Sequence, residues 1–152
     1  MNIKPHVLLI DDELEILEVL KLILTHAGFE VSVAENGETA LTKLGENNFN
    51  VVVCDYKMPK MDGISLLKIV RQHKDYTPFI FFSGNSDESH NLEMIGLGAF
   101  EILQKTEING LVKVLHNTLK QNEALKYIDG RGQSDKTVET DEFLKLLHST
   151  GS

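Results

Sequence analysis

The stretch Val7-Leu8-Leu9-Ile10-Asp11-Asp12 sets an unbroken apolar run directly against two acids, and Val51-Val52-Val53-Cys54-Asp55 repeats the device with a third. Short runs with no polar alternation are the pattern of strands buried on both faces of a parallel sheet. Side by side in such a sheet, the two runs would bring Asp11, Asp12 and Asp55 together at its carboxyl edge. Open α/β sheets bind ligands there, because the loops splay apart at the topological switch point. Two more runs end on functional groups: Phe79-Ile80-Phe81-Phe82 on Ser83, and Ile102-Leu103-Gln104 on Lys105. Three acids, a hydroxyl and an ammonium at four strand ends predict a site for a hard cation and for accepting a phosphoryl group.

Between these runs the apolar period changes to that of helices, which predicts βα units. Leu17, Leu20, Leu24 and Ala27 mark a first helix, with Gly28 placed for a left-handed cap. Val31 and Val33 read as an edge strand, and Asn36-Gly37 turns into a short helix through Ala40, Leu41 and Leu44. A loop with Pro59 and Gly63 leads to a helix with Leu66, Leu67 and Val70. The polar stretch from Gly84 to Ser89 leads to another through Leu92 and Ile95, closed by Gly96 and Gly98. Thr106 is placed to cap a last helix whose apolar face uses Ile108, Leu111, Val112, Leu115 and Leu119. Five βα units thus fill a domain over 1–122. Residues 123–152 read as a C-terminal extension: a polar linker from Asp129 to Thr137, then a short amphipathic segment carrying Phe143, Leu144 and Leu147.

The formal net charge of −8 over 152 residues argues against nucleic acid and anionic membrane as partners, since phosphate backbones are held by Lys/Arg clusters. No apolar run approaches the ~20 residues needed to span a bilayer. Cys54, the only cysteine, lies inside an apolar run and reads as a buried, inert thiol. These features predict a cytoplasmic protein. The six histidines, at positions 6, 26, 73, 90, 116 and 148, lack the close spacing of a metal site and read as structural.

Asp55 is the candidate nucleophile: a carboxylate becomes an acyl phosphate when a cation neutralises the phosphoryl oxygens and fixed donors meet the spreading charge. Mg²⁺ suits carboxylate, carbonyl and water ligands, and Asp11, Asp12 and Asp55 would hold it. Lys105 would pair with a phosphoryl oxygen and Ser83 would bond another.

These residues resemble the receiver domains of two-component response regulators over roughly residues 5–122. The likeness rests on Val7 to Glu13, on Ala34-Glu-Asn-Gly37-Glu-Thr-Ala40-Leu41, on Asp55-Tyr-Lys-Met58-Pro59-Lys-Met61-Asp62-Gly63, on Phe82-Ser83-Gly84 and on Gly98-Ala99-Phe100-Glu-Ile-Leu-Gln-Lys105. The resemblance implies a doubly wound, flavodoxin-like α/β fold: a five-stranded parallel sheet of order 2-1-3-4-5 with helices on both faces. It implies Mg²⁺-dependent transfer of phosphate to Asp55 from a histidine kinase or histidine phosphotransfer protein, with Asp55, Ser83 and Lys105 doing the chemistry and the Lys57 carbonyl joining Asp11, Asp12 and Asp55 as a metal ligand. Lys57 and Asn85 resemble the pair that flanks the path of the hydrolytic water.

Such a protein catalyses its own phosphorylation and dephosphorylation but is not a conventional enzyme. It is expected to act as a monomer or phosphorylation-dependent dimer. Its output is expected through a downstream protein target, by contact or onward phosphotransfer, since about 30 residues leave no room for an output domain. Three positions depart from the family's habit: Thr106 stands where Pro follows the lysine, Ile102 where an aromatic is usual, and Gly84 where Ala is common. Two rival readings are an aspartyl-phosphate hydrolase or phosphotransferase of haloacid-dehalogenase type and a degenerate receiver that only binds protein. The first wants a second Asp where Lys57 stands; the second is at odds with the full set of acids, Ser83 and Lys105.

Overall fold

The computed structural model describes residues 3–84 and 87–128. Its elements alternate as β1 (His6–Ile10), α1 (Leu14–His26), β2 (Glu30–Ala34), α2 (Gly37–Glu46), β3 (Val51–Cys54), α3 (Gly63–Gln72), β4 (Phe79–Ser83), α4 (Glu88–Gly96), β5 (Glu101–Gln104) and α5 (Ile108–Ile128). The strands form one sheet of order β2-β1-β3-β4-β5. Every neighbouring pair is parallel, with Val7 opposite both Val31 and Val51, and Ile10 opposite Ala34 and Cys54. The expected doubly wound sheet is therefore present, with its switch point between β1 and β3.

The apolar runs are continuous because each strand has two buried faces. Leu8, Ile10, Val52, Cys54 and Phe81 pack toward α2, α3 and α4, meeting Ala40, Leu66, Leu67 and Met94. Val7, Leu9, Val53, Ile80 and Phe82 pack on the other side with Leu17, Leu20 and Leu24 of α1 and Leu111 and Leu115 of α5. Gly28 takes φ +99° after α1 and Gly98 takes φ +89° after α4, the left-handed positions that glycine occupies without steric cost. Asn36 caps α2 by accepting the Thr39 N–H at 2.8 Å, so Gly37 begins that helix.

Two local expectations are corrected. The α4 stripe of Leu92 and Ile95 faces outward, 63% and 58% exposed, while Met94 on the opposite side is fully buried. Met94 is the one buried residue of this helix, and the two-residue apolar stripe lies on the other side. Thr106 does not cap α5. It lies in a 3₁₀ turn, Lys105–Glu107, ahead of the helix, and the Gln104 N–H donates to the Glu107 carboxylate at 3.3 Å. The α5 helix continues to Ile128, past the expected boundary at 122. The extension's segment with Phe143, Leu144 and Leu147 lies outside the described residues, as does Asn85.

Arg71 was not singled out from sequence, yet it ties three segments together. Its guanidinium donates to the carbonyls of Asp75 (2.9 Å), Thr77 (3.0 Å) and Gly98 (3.4 Å) and lies 5.5 Å from the centre of the Phe79 ring. It thereby fixes the entry to β4 against the turn before β5.

Gly63 lets α3 approach the end of β3. A Cβ there would fall 2.5 Å from the Asp55 carbonyl oxygen and 2.7 Å from Phe81 Cε1, both closer than packed atoms tolerate. Gly63→Ala is expected to destabilise the fold by about 1–3 kcal/mol, the scale of overpacking in a filled core. Gly45→Ala, where an added Cβ meets nothing within 4 Å, should instead stabilise by about 0.5–1 kcal/mol. Urea denaturation of the two variants checks both signs; a neutral Gly63→Ala would show that the close approach is not needed.

Candidate functional site

The ladder of hydrogen bonds runs one residue beyond β1 and β3. Asp55 N–H donates to the Ile10 carbonyl at 2.8 Å, and Asp11 N–H donates to the Ala34 carbonyl at 3.2 Å. Asp11 and Asp55 are thus pinned as next-strand neighbours at the carboxyl edge, with Asp12 following in the loop. The three offer carboxylate oxygens that all lie within 4.8 Å of one another. Asp11 and Asp55 are buried, 3% and 5% exposed, while Asp12 is open to solvent.

Lys105, delivered by the end of β5, crosses to this cluster. Its Nζ lies 2.9 Å from Asp11 Oδ2, 3.3 Å from Asp55 Oδ2 and 3.0 Å from Glu13 Oε1. Ser83 closes β4 and is buried at 3% exposure. The sequence-predicted Asp11, Asp12, Asp55 and Lys105 are therefore brought together, with Ser83 at the same edge. Lys57 is exposed and shares an open groove of about 410 Å³ with Asp12, Tyr56, Met58, Pro59 and Asp62. Among the described residues no peptide bond is cis, that between Lys105 and Thr106 included. Ile102 packs against the core cluster that contains Phe81 and Met94.

Burial and crowding set the charges. Burial pushes the Asp55 carboxyl up to about 6; the nearby Asp11 charge adds to the rise and Lys105 opposes it. Asp11 is also raised by burial, against the hydrogen bond from Lys105. Burial alone would lower Lys105, but its bonds to Asp11 and Glu13 and the neighbouring negative charges outweigh this and hold it above the usual lysine value. Cys54 is fully buried, and burial drives its thiol well above the ordinary range, which fits an inert residue.

Two residues at the site escaped the sequence reading. Glu13 sits at the N-cap of α1, where its side chain makes no cap bond. Its backbone N–H donates to Asp11 Oδ1 at 2.9 Å while its carboxylate binds Lys105. The adjacency of three acids was visible; the partner 92 positions away was not. Tyr56, next to Asp55, stacks its ring 4.7 Å from that of His90 on α4, and His90 Nδ1 lies 2.7 Å from the α4 cap Asp87. Among the six histidines only the fold could single this one out.

Oxygen ligands without thiolate or imidazole, a lysine and a hydroxyl at one sheet edge suit a hard cation beside a phosphoryl group. Comparison with known proteins agrees. Residues 7–116 match the model of the response regulator receiver domain. The transcriptional regulatory protein FixJ of Bradyrhizobium diazoefficiens is 32% identical over 124 residues, 81% of this chain and 60% of FixJ; the chain thus spans only part of that relative. Among solved structures, the receiver domain of a Francisella response regulator superposes with a TM-score of 0.74 at 33% identity, covering 78% of this chain and 99% of that one. Response regulator TrrA of Thermotoga maritima, solved in complex with Mg²⁺ and BeF, does so with a TM-score of 0.69 at 30% identity, covering 76% and 99%. The buried acids and the lysine that crosses to them lie on the parallel sheet that this family match covers, and the chain belongs to the response regulator receiver domain family.

Proposed function

We propose that Asp55 accepts a phosphoryl group from the phosphohistidine of a histidine kinase or histidine phosphotransfer protein. The observation that carries this reading is the buried Asp55 carboxylate, with Lys105 Nζ at 3.3 Å and the oxygens of Asp11 and Asp12 within 4.8 Å. In the transfer an Asp55 oxygen forms a bond to phosphorus as the phosphorus–nitrogen bond breaks, and the departing imidazole keeps the electron pair and takes up a proton. Lys105 meets one phosphoryl oxygen and Ser83 another, so that charge spreading over the equatorial oxygens finds fixed donors.

The donor set suits Mg²⁺: Asp11, Asp12 and Asp55 supply carboxylate oxygens and Lys57 its backbone carbonyl. Bound there, the cation would neutralise the phosphoryl oxygens during transfer. Lys57 stands where the rival hydrolase needs a second Asp, which favours the receiver reading. The complete set of acids, Ser83 and Lys105 favours an active receiver over a degenerate one.

On this reading the chain acts once per phosphate received rather than as a conventional enzyme, and signals through a downstream protein or onward phosphotransfer. The net charge of −8 supports a protein partner over nucleic acid for this chain. Monomer and phosphorylation-dependent dimer are its expected forms, the receiver unit is assigned to 1–122 with 123–152 as an extension, and the location is cytoplasmic. Among the described residues no helix is long and apolar enough to cross a membrane.

Incubation with acetyl phosphate and Mg²⁺ should attach one phosphate that alkaline hydroxylamine removes, and Asp55→Asn should abolish it. Equal labelling of the variant would remove Asp55 from the mechanism. Asp12→Ala should weaken Mg²⁺ binding by at least about tenfold, the scale reached by loss of even an outer-shell partner. Titration followed by tyrosine fluorescence measures this, and an unchanged affinity would rule out the proposed ligand set.

The raised Asp55 pKa also fixes a pH dependence. An acid whose pKa is higher folded than unfolded holds more protons in the native state between about pH 4 and 6, so its contribution to stability falls as pH rises through that window. Without Mg²⁺, Asp55→Asn should therefore match the wild type near pH 4 and exceed it near pH 7 by on the order of 2 kcal/mol. Urea titrations at both values test this; a constant offset between the two proteins would contradict the assigned shift.

A further inference from the structure

We propose that Glu13 is a latch for Lys105, holding the ammonium in the unphosphorylated state and letting go of it when a phosphoryl group arrives. The inference rests on Asp55 being the acceptor. An ammonium has three N–H donors, and Lys105 Nζ has three carboxylates in reach: Asp11 at 2.9 Å, Glu13 at 3.0 Å and Asp55 at 3.3 Å. A phosphoryl oxygen on Asp55 can gain Lys105 only by displacing one of them. The Asp11 side chain is 4% exposed, so leaving it unpaired would strand a buried charge. The Glu13 side chain is 61% exposed and water can replace the ammonium there at little cost. Asp55, the longest contact at 3.3 Å, keeps only a neutral carbonyl oxygen once phosphorylated; of the two carboxylates that stay charged, Glu13 is the one that yields as the ammonium moves to the phosphoryl oxygen.

The position of Glu13 supports this role over a helical one. It is the N-cap residue of α1 with extended backbone (φ −89°, ψ 105°), where a side chain ordinarily accepts a backbone N–H. Its carboxylate makes no such bond and reaches across to the end of β5. Its backbone N–H, which bonds Asp11 at 2.9 Å, stays in place whatever side chain it carries. Changing the carboxylate therefore alters the hold on Lys105 without removing a cap or a backbone bond.

As long as Glu13 binds Lys105, it competes with the phosphoryl group, and weakening it should favour the phosphorylated state. Three variants of the full chain separate this from simple repulsion of an anionic donor. Glu13→Gln removes the charge, Glu13→Asp keeps the charge but shortens the reach by one methylene, and Glu15→Gln removes the same charge two residues further along α1. With Mg²⁺ saturating, both Glu13 variants should take phosphate from acetyl phosphate faster by about threefold, the factor carried by an exposed ion pair. They should also bind beryllofluoride, an unreactive phosphoryl mimic, more tightly by a similar factor. Glu15→Gln should stay within about twofold of the wild type.

A Glu13→Asp protein that behaves as wild type while Glu13→Gln is faster would reduce the effect to charge and overturn the latch. Both variants at or below the wild-type rate and affinity would overturn it as well. A wild-type chain that takes no label, or a label that survives Asp55→Asn, would instead overturn the acceptor reading, and the latch with it.

Discussion

One ammonium faces four carboxylates at the carboxyl edge of this sheet, and the rest of the structure is arranged around that imbalance. Lys105 reaches Asp11, Glu13 and Asp55, and Asp12 brings its oxygens within 4.8 Å of the two buried acids. Two like charges about 4 Å apart repel by about 4 kcal/mol at the effective dielectric of a protein surface. A single cation cannot offset every such pair, and the repulsion from Asp11 adds to the burial that pushes the Asp55 carboxyl up to about 6. A divalent cation bound among these oxygens would relieve the same repulsion.

Only a stiff frame can hold like charges this close. The frame is the pair of backbone bonds that extends the sheet past its strands, Asp55 to Ile10 and Asp11 to Ala34, backed by apolar packing on both faces. Gly63 adds to it from the α3 side, since the missing side chain lets that helix's first turn sit against the Asp55 backbone and donate its N–H to the Tyr56 carbonyl at 2.8 Å. The acids are thus fixed by main-chain geometry, and only the long, flexible Lys105 and Glu13 side chains are free to rearrange around them.

The difference between what sequence reveals and what it hides follows the same division. Strand ends were legible because a parallel strand buried on both faces leaves an unbroken apolar run, and the first polar residue after it marks the sheet edge; Asp11, Asp55 and Ser83 were found that way, whereas β5, with Glu101 and Gln104 exposed, carries a weaker run and Lys105 was placed by its position after it. The helix faces were legible where three or more apolar positions repeat, as in α1 and α5. In α4 a short apolar pair, Leu92 and Ile95, outweighed Met94 in the pattern, although only Met94 enters the core. Glu13 and Arg71 were missed for a different reason. Each acts through a partner set by the fold, Lys105 for one and the Gly98 carbonyl for the other, and no local spacing encodes such a pair.

That distribution of contacts also ranks the elements by how firmly they are held. The sheet and α3 contribute many buried side chains, whereas α4 commits a single one, Met94, whose full burial stabilises by roughly 1.5–3 kcal/mol. Beyond it, α4 is tied to its surroundings by the exposed Lys68–Glu93 pair at 3.3 Å, of a kind that contributes about 1 kcal/mol or less, and by the stacking of His90 on Tyr56. Tyr56 is covalently next to Asp55. The Asp55 end of β3 meets α4 through this ring contact, and Ile102 lies in the same packed cluster as Met94. The outward-facing Leu92 and Ile95 thus sit on an element that buries one side chain of its own and meets the Asp55 end of β3 through the Tyr56–His90 contact.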